Sequence, residues 1–256
     1  MESGTLLDVD LRKDTPDRLN DRLIAGDLDI GPISAAEYLR HSDELLLLPD
    51  LAVGSDGPVQ SVCLISKHPP GELGGARVAL GSTSRTSVLL AQMLLEDRYD
   101  VRPSYFDCPP DLAAMLLEAD AAVLIGDAAL RARRDAAGLD LHCLDLGEAW
   151  REWTGLPMVF AVWAVRRDFA SAHPGQLKGV HRAFRASLDD SLSRVDEIAA
   201  RAARWEQFSA EELATYFRAL DFRLGERQLA GLAEFARRAA ARGAVPPGAR
   251  ATFADV

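Results

Sequence analysis

The sequence predicts an α/β protein of two lobes with a group of helices at its C-terminal end. Three observations carry this prediction. Short apolar runs alternate with amphipathic helical patterns over the first two-thirds of the 256 residues. The stretch from about 176 to 241 has a helical pattern throughout. A proline- and glycine-rich segment at 68–71 interrupts the alternating part and is typical of a crossing between two lobes.

The first lobe is expected to begin with alternating strands and helices. Pro16 suits the first position of a helix, and the spacing of Ser34 and Glu37 fits a capping box at the start of another. The order of strand, helix and strand predicts a parallel sheet. The predicted elements are strands at 6–11, 28–30, 45–48 and 59–66, and helices at 15–25 and from 35 onward.

The second lobe repeats this alternation, and an apolar run at 156–165 is expected to return to the first sheet. We therefore assign residues 1–68 and 156–256 to the first lobe with the C-terminal helices, and residues 69–155 to the second lobe. The elements expected in the second lobe are strands at 76–80, 103–108 and 121–125 and helices at 88–95 and 110–118. The C-terminal helices are expected at 176–188, 191–205, 211–220 and 226–242.

Composition limits the classes of function. Lysine and arginine number 29 and aspartate and glutamate 39, so the net charge of −10 argues against nucleic acid or an anionic membrane surface as a partner. No apolar stretch is long enough to span a bilayer and no secretory signal pattern is recognised, so we expect a cytoplasmic protein. The three cysteines lack C-x-x-C spacing and predict neither a disulfide framework nor a metal site.

The segment Gly81-Ser82-Thr83-Ser84-Arg85-Thr86-Ser87 is the strongest functional signal. It joins a predicted strand to a predicted helix, where free backbone N–H groups and the helix dipole favour an anion. Its hydroxyls can donate hydrogen bonds, and the planar guanidinium of Arg85 suits a carboxylate. The segment therefore predicts an anion cradle, and the alternative is a hydroxyl-rich helix cap with a solvent-facing arginine.

Three further positions are candidates for ligand contact. Ser34 begins a predicted helix, and Asp127 follows a predicted strand at the end where α/β sheets place ligand-binding groups. Gly57 lies in a turn whose backbone N–H groups could face a ligand. Each has a plain structural alternative, which is a helix cap for Ser34 and Asp127 and an ordinary turn for Gly57.

Five ordered segments resemble the chorismate dehydratase family of the futalosine route to menaquinone. They are DIGPIS at 29–34, GSDGPV at 54–59, GSTSRTS at 81–87, IGDAAL at 125–130 and WTGLP at 153–157. The resemblance covers essentially the whole chain. It implies a two-lobed fold like that of type II periplasmic binding proteins.

The resemblance also implies an activity, which is the removal of water from chorismate to give 3-[(1-carboxyvinyl)oxy]benzoate without a cofactor. Chorismate carries two carboxylates, so the site needs anion-binding groups on either side of an apolar slot. The family suggests that the substrate's own enolpyruvyl carboxylate serves as the base. The residues proposed to bind this small dicarboxylate are Ser34, Gly57, Ser84, Arg85, Thr86, Ser87 and Asp127, of which Asp127 is also a candidate catalytic group.

Two other functions remain open from the sequence. One is a small-anion binding protein or sensor of the same fold. The other is the related 1,4-dihydroxy-6-naphthoate synthase, which a catalytic histidine in the second lobe would favour, and none occurs at 126–128. The family's chains usually carry a further strand and helix with a Leu-Asn pair before the stretch that starts here at Leu6, so we expect an in-frame extension upstream of Met1.

Overall fold

The computed structural model describes residues 9–81, 84–136 and 138–256. Within these ranges the chain forms two sheets with helices packed around them. The strands are β1 (Ile30–Ser34), β2 (Leu45–Ser55), β3 (Val62–Ser66), β4 (Arg77–Gly81), β5 (Ser104–Cys108), β6 (Ala121–Ile125), β7 (His142–Asp145) and β8 (Met158–Arg166).

The α-helices of the alternating part mostly connect strands, and those of the last third follow one another. They are α1 (Pro16–Ala25), α2 (Ala35–Arg40), α3 (Arg85–Met93), α4 (Leu112–Glu118), α5 (Gly126–Ala136), α6 (Leu146–Thr154), α7 (Arg167–Ala172), α8 (Pro174–Ser193), α9 (Val195–Ala202), α10 (Ala210–Ala219) and α11 (Glu226–Ala241). A π-helical turn, Leu94–Arg98, extends α3. No helix in the described part of the chain is both long and apolar enough to cross a membrane.

The three-stranded sheet has the order β1-β8-β2, and both pairings are antiparallel. The predicted parallel sheet is therefore wrong for this part of the chain. The alternation of strands and helices indicated which segments are strands but not their partners. The apolar run of β8 lies far from β1 and β2 in the sequence, yet it inserts between them, and both of its faces are covered.

The five-stranded sheet has the order β5-β4-β6-β3-β7. Its β4 runs parallel to β5 and β6, as expected of strands joined by helical crossovers, whereas β3 runs antiparallel to β6 and β7. The predicted division into lobes therefore disagrees with the sheets at one strand. We expected β3 in the first lobe, but it pairs within this sheet, and the chain passes from one sheet to the other at residues 56–61.

The N-terminal part agrees with the prediction at its helix but not at its first strand. Residues 6–8 of that strand lie outside the described residues, and 9–11 form no strand. Helix α1 begins at Pro16, as predicted, and ends at Gly26, whose left-handed φ of 87° favours glycine. The sequence pattern did not predict β7 or α6.

The largest apolar cluster joins the two sheets. Tyr38 of α2, Trp150 of α6 and Phe235 of α11 are fully buried in it. The indole N–H of Trp150 donates to the carbonyl of Pro157 at 3.1 Å, so this buried polar group is satisfied. Within this cluster α2 and α11 pack against β8, which positions the groups described next.

Candidate functional site

The predicted anion cradle and the predicted cap at Ser34 meet where α3 packs against α2. The Thr86 hydroxyl oxygen accepts the N–H of Ala36 at 3.0 Å, and this bond joins the first turns of the two helices. Thr86 and Ser87 are both buried there. We call residues 34–37 and 84–87 the α2–α3 seam. Because Thr86 accepts in this bond, its hydroxyl proton is left to donate.

Serine caps fix both helix starts at the seam. Ser34 accepts the N–H of Glu37, and Ser84 accepts the N–H of Ser87, each at 3.3 Å. The Ser84 hydroxyl also donates to the Ser87 oxygen at 3.0 Å, which leaves the Ser87 hydroxyl proton to donate. Ser34, Ser84, Thr86 and Ser87 are thus brought together, whereas Ser82 and Thr83 of the cradle lie outside the described residues.

The predicted capping box at Ser34 is only half formed. Its return bond, from the backbone of Ser34 to Glu37, is absent, because the Ser34 N–H donates instead to Oδ1 of Asn20 in α1 at 3.0 Å. The Glu37 carboxylate has other partners, which are Arg40 and Arg85. A tertiary contact has therefore replaced the local one that the sequence spacing indicated.

Arg85 spans the seam and binds the protein's own acids. Its guanidinium donates to Glu37 at 2.7 Å and to Asp21 of α1 at 2.6 Å. Glu37 is 2% exposed, and Arg40 also binds it. The positive charges of the two arginines equal the negative charges of the two carboxylates here. An incoming carboxylate would therefore have to displace Glu37 or Asp21 to bind Arg85.

Gly57 and Asp127 lie apart from the seam. Gly57 has a left-handed φ of 127°, and its carbonyl accepts the Ser55 hydroxyl at 2.9 Å. Asp127 is exposed in the first turn of α5, because the helix starts at Gly126, two residues earlier than a cap at Asp127 requires. Among the residues that the structure describes, no hydrogen bond connects either of them to the seam.

Tyr216 of α10 is near enough to Asp127 to be affected by its charge, which the sequence did not predict. Its hydroxyl donates to the Ser61 oxygen at 3.1 Å. Burial raises the pKa of Tyr216, and the negative charge of Asp127 raises it further. The phenol therefore stays protonated. Its hydrogen bond to Ser61 holds helix α10 against the segment that connects the two sheets.

A second buried polar cluster holds that connecting segment. The Asp145 carboxylate, 3% exposed, accepts the N–H groups of Val59 at 3.0 Å and Gln60 at 2.7 Å. It also caps α6 by accepting two N–H groups of that helix, and Arg133 lies 3.2 Å away. We call Asp145, Val59 and Gln60 the crossing anchor. The only local sequence signal for it was an aspartate directly before Leu-Gly-Glu, which suits a helix cap.

A cavity of about 860 Å³ lies elsewhere, between residues 9–14, α1, β1 and α8, and none of the predicted site residues lines it. Within the described ranges, no group of three or more histidine, cysteine, aspartate or glutamate residues is arranged to hold a metal ion. The seam therefore stays the place where the predicted anion-binding side chains converge.

Comparison with known proteins agrees with this reading of the sequence. The chain is 34% identical to the chorismate dehydratase of Thermus thermophilus, over 86% of this chain and 83% of that protein. It is 26% identical to the 1,4-dihydroxy-6-naphtoate synthase of the same organism, over 92% of this chain and 85% of that protein.

Solved structures confirm the predicted fold. Protein AF1704 of Archaeoglobus fulgidus matches with a TM-score of 0.73 at 24% identity, over 92% of this chain and 86% of that one. The periplasmic aliphatic sulphonate binding protein SsuA of Escherichia coli matches with a TM-score of 0.61 at 17% identity, over 92% and 82%. The fold is thus periplasmic-binding-protein-like. A family model described as menaquinone biosynthesis matches residues 2–241, and with the Thermus relative it shows that this chain belongs to the menaquinone biosynthesis family.

Proposed function

We propose that this protein is a chorismate dehydratase, which converts chorismate to 3-[(1-carboxyvinyl)oxy]benzoate and water. The observation that carries the proposal is the 34% identity to the Thermus enzyme over most of both chains. The identity to the naphthoate synthase of that organism is lower, at 26%. The five sequence segments named above point to the same activity.

The reaction breaks a ring C–H bond and the ring C–O bond to the hydroxyl group, and the electron pair of the C–H bond forms the new double bond. The proton and the hydroxide leave together as water, and the ring becomes aromatic. Since aromatisation drives the elimination, the protein's main tasks are to orient the substrate and to stabilise developing negative charge. We propose that the enolpyruvyl carboxylate of the substrate accepts the proton and then passes it to the departing hydroxide, so that water is released and the carboxylate is restored.

The seam offers groups suited to those tasks. The hydroxyl protons of Thr86 and Ser87 are available to a carboxylate, and the first turn of α3 favours negative charge. We propose that Arg85 contributes by exchanging Glu37 for the substrate. We propose that Gly57 and Asp127 contact the side of the ligand opposite the seam. There the carboxylate of Asp127 would accept a hydrogen bond from the departing hydroxyl.

The proposal is tested by incubating the protein with chorismate and analysing the mixture by mass spectrometry. We expect an aromatic dicarboxylate lighter than chorismate by one water, with a yield that scales with the protein. Binding of chorismate without turnover would identify an anion-binding protein or sensor instead. A protein that neither binds nor converts chorismate would contradict the proposal and direct attention to the naphthoate synthase reaction.

A further inference from the structure

We infer that Asn20 is a substrate-binding residue, whose side-chain amide donates a hydrogen bond to a carboxylate oxygen of the ligand at the α2–α3 seam. Asn20 lies on α1 and belongs to none of the sequence segments that indicated the site. The identity of the ligand rests on the proposed function. The assignment of a donor role to Asn20 rests on its own contacts and burial.

The orientation of the Asn20 amide is fixed by its partner. The backbone N–H of Ser34 donates to Oδ1 at 3.0 Å, and an N–H group can only face an acceptor. Rotating the amide by half a turn would place its NH₂ group against this N–H, donor against donor. The carbonyl side of Asn20 is thus committed to the protein, and Nδ2 with its two protons points elsewhere.

Nδ2 has no hydrogen-bond partner among the residues that the structure describes, although Asn20 is 1% exposed. Buried amide groups in native proteins almost always have a partner, which can be protein, ordered water or a ligand. Asparagine at a position that uses only its acceptor is costly, because the unused donor loses its contact with water. The Nδ2 group of Asn20 therefore needs a hydrogen-bond acceptor that the described chain does not supply.

The surroundings indicate an anionic acceptor. The neighbouring Asp21 binds Arg85, so this part of α1 lies beside the first turn of α3, where the Thr86 and Ser87 hydroxyls have protons to donate. Helix α3 is nine residues long, and its N-terminal end favours negative charge. The four charged side chains at the seam balance, so a carboxylate there meets donors without net negative charge.

Asn20 is the only asparagine in the 256 residues, which makes a direct test possible. Protein prepared with asparagine labelled with ¹⁵N at the side-chain amide gives one NH₂ pair in an NMR spectrum. On titration with chorismate, and separately with the dehydrated product, we expect this pair to shift and its exchange with solvent to slow. Unshifted Asn20 signals at a ligand concentration that calorimetry shows to be saturating would overturn the inference and leave the proposed function intact.

Absence of any calorimetric binding of chorismate or product would instead overturn the proposed function, and this inference with it. Variants provide a second readout. N20D keeps the acceptor for Ser34 but loses the donor, and we expect its affinity for chorismate to fall about tenfold or more. Q176E adds the same charge at an exposed position on α8 and should bind as the wild type does. Equal affinity of folded N20D and wild type would overturn the inference, and the NMR titration decides it if N20D fails to fold.

Discussion

The crossing anchor and the α2–α3 seam are both buried polar clusters, yet they differ in how completely their groups are paired. At the anchor, Asp145 accepts four backbone N–H groups and lies beside Arg133. At the seam, the Asn20 amide nitrogen lacks a partner in the described chain, and the Thr86 hydroxyl proton is left to donate. A structural cluster needs its buried groups to be paired, and the unused donors at the seam are the groups that we infer to bind the ligand. Substitution at the anchor should therefore lower stability most, and substitution at the seam should lower ligand binding most.

The largest effect is expected from Asp145→Ala. This change removes a buried carboxylate and leaves the Val59 and Gln60 N–H groups without their acceptor, so we expect a loss of about 3–5 kcal/mol in the free energy of unfolding. Urea denaturation followed by circular dichroism measures it. Asp145→Asn, which keeps one acceptor oxygen, should cost less. A stable Asp145→Ala protein with weakened chorismate binding would reverse the roles given to the two clusters.

Arg85 belongs to the seam and is paired with the buried Glu37. A double-mutant cycle separates this structural role from its proposed role in binding the substrate. Arg85→Ala leaves the buried Glu37 with Arg40 alone, and we expect a loss of about 1.5–3 kcal/mol in stability together with weaker chorismate binding. Adding Glu37→Gln should restore part of that stability, because it removes a buried charge that has lost one of its two arginine partners.

The same double variant should not recover affinity for chorismate if the Arg85 guanidinium binds the substrate. Calorimetry on the two single variants and the double variant measures this directly. Recovery of both stability and affinity in the double variant would show that Arg85 acts only as the partner of Glu37.

Thr86 is expected to affect binding more than folding. Thr86→Val keeps the shape of the side chain but removes the hydroxyl, so we expect chorismate affinity to fall about tenfold. Some stability should also be lost, since the Ala36 N–H loses its acceptor. Thr86→Ser retains the hydroxyl and is the matched control, with affinity near that of the wild type. Equal affinity of the valine and serine variants would remove this hydroxyl from the site.

The smallest effect is expected at a surface ion pair away from both clusters. Hydrogen bonds from Arg237 and then Arg238 lower the pKa of Glu234 from 4.5 to about 2. Because the folded pKa is the lower one, the pair stabilises the protein above about pH 4.5 and this contribution is lost as the pH falls towards 2. We expect less than about 1 kcal/mol, since water screens the pair.

The stability difference between wild type and Glu234→Gln, measured by urea denaturation, should therefore shrink between pH 5 and pH 2.5, roughly the range over which this carboxyl titrates. A difference that stays constant over this range would show that the pair contributes nothing through its charge.

Periodicity in the sequence predicted most of the helices and strands but not how the strands pair. Strand β6 was predicted with its observed bounds, and the helix predicted at 211–220 is α10, which Ser209 caps with a capping box. The antiparallel insertion of β8 and the place of β3 in the five-stranded sheet depend on contacts between distant parts of the chain. Local patterns do not contain that information.

The candidate site was likewise predicted only in its local features. The hydroxyl-rich segment predicted the caps and donors at α3, because capping is a local interaction. The pairing of Arg85 with Glu37 and Asp21 was not predicted, since the three residues come from different helices. Asn20 was missed because a single asparagine on a helix resembles any polar residue until its burial and its unpaired nitrogen are seen.

Hydrogen–deuterium exchange with and without chorismate tests most directly whether the seam, and not the anchor, receives the ligand. Chorismate at saturation should slow exchange in peptides that cover 34–37 and 84–88. Peptides that cover Val59, Gln60 and the start of α6 should change little, because their N–H groups already donate to Asp145. Protection confined to the anchor, or to residues 9–14 and β1 around the cavity, would contradict the account.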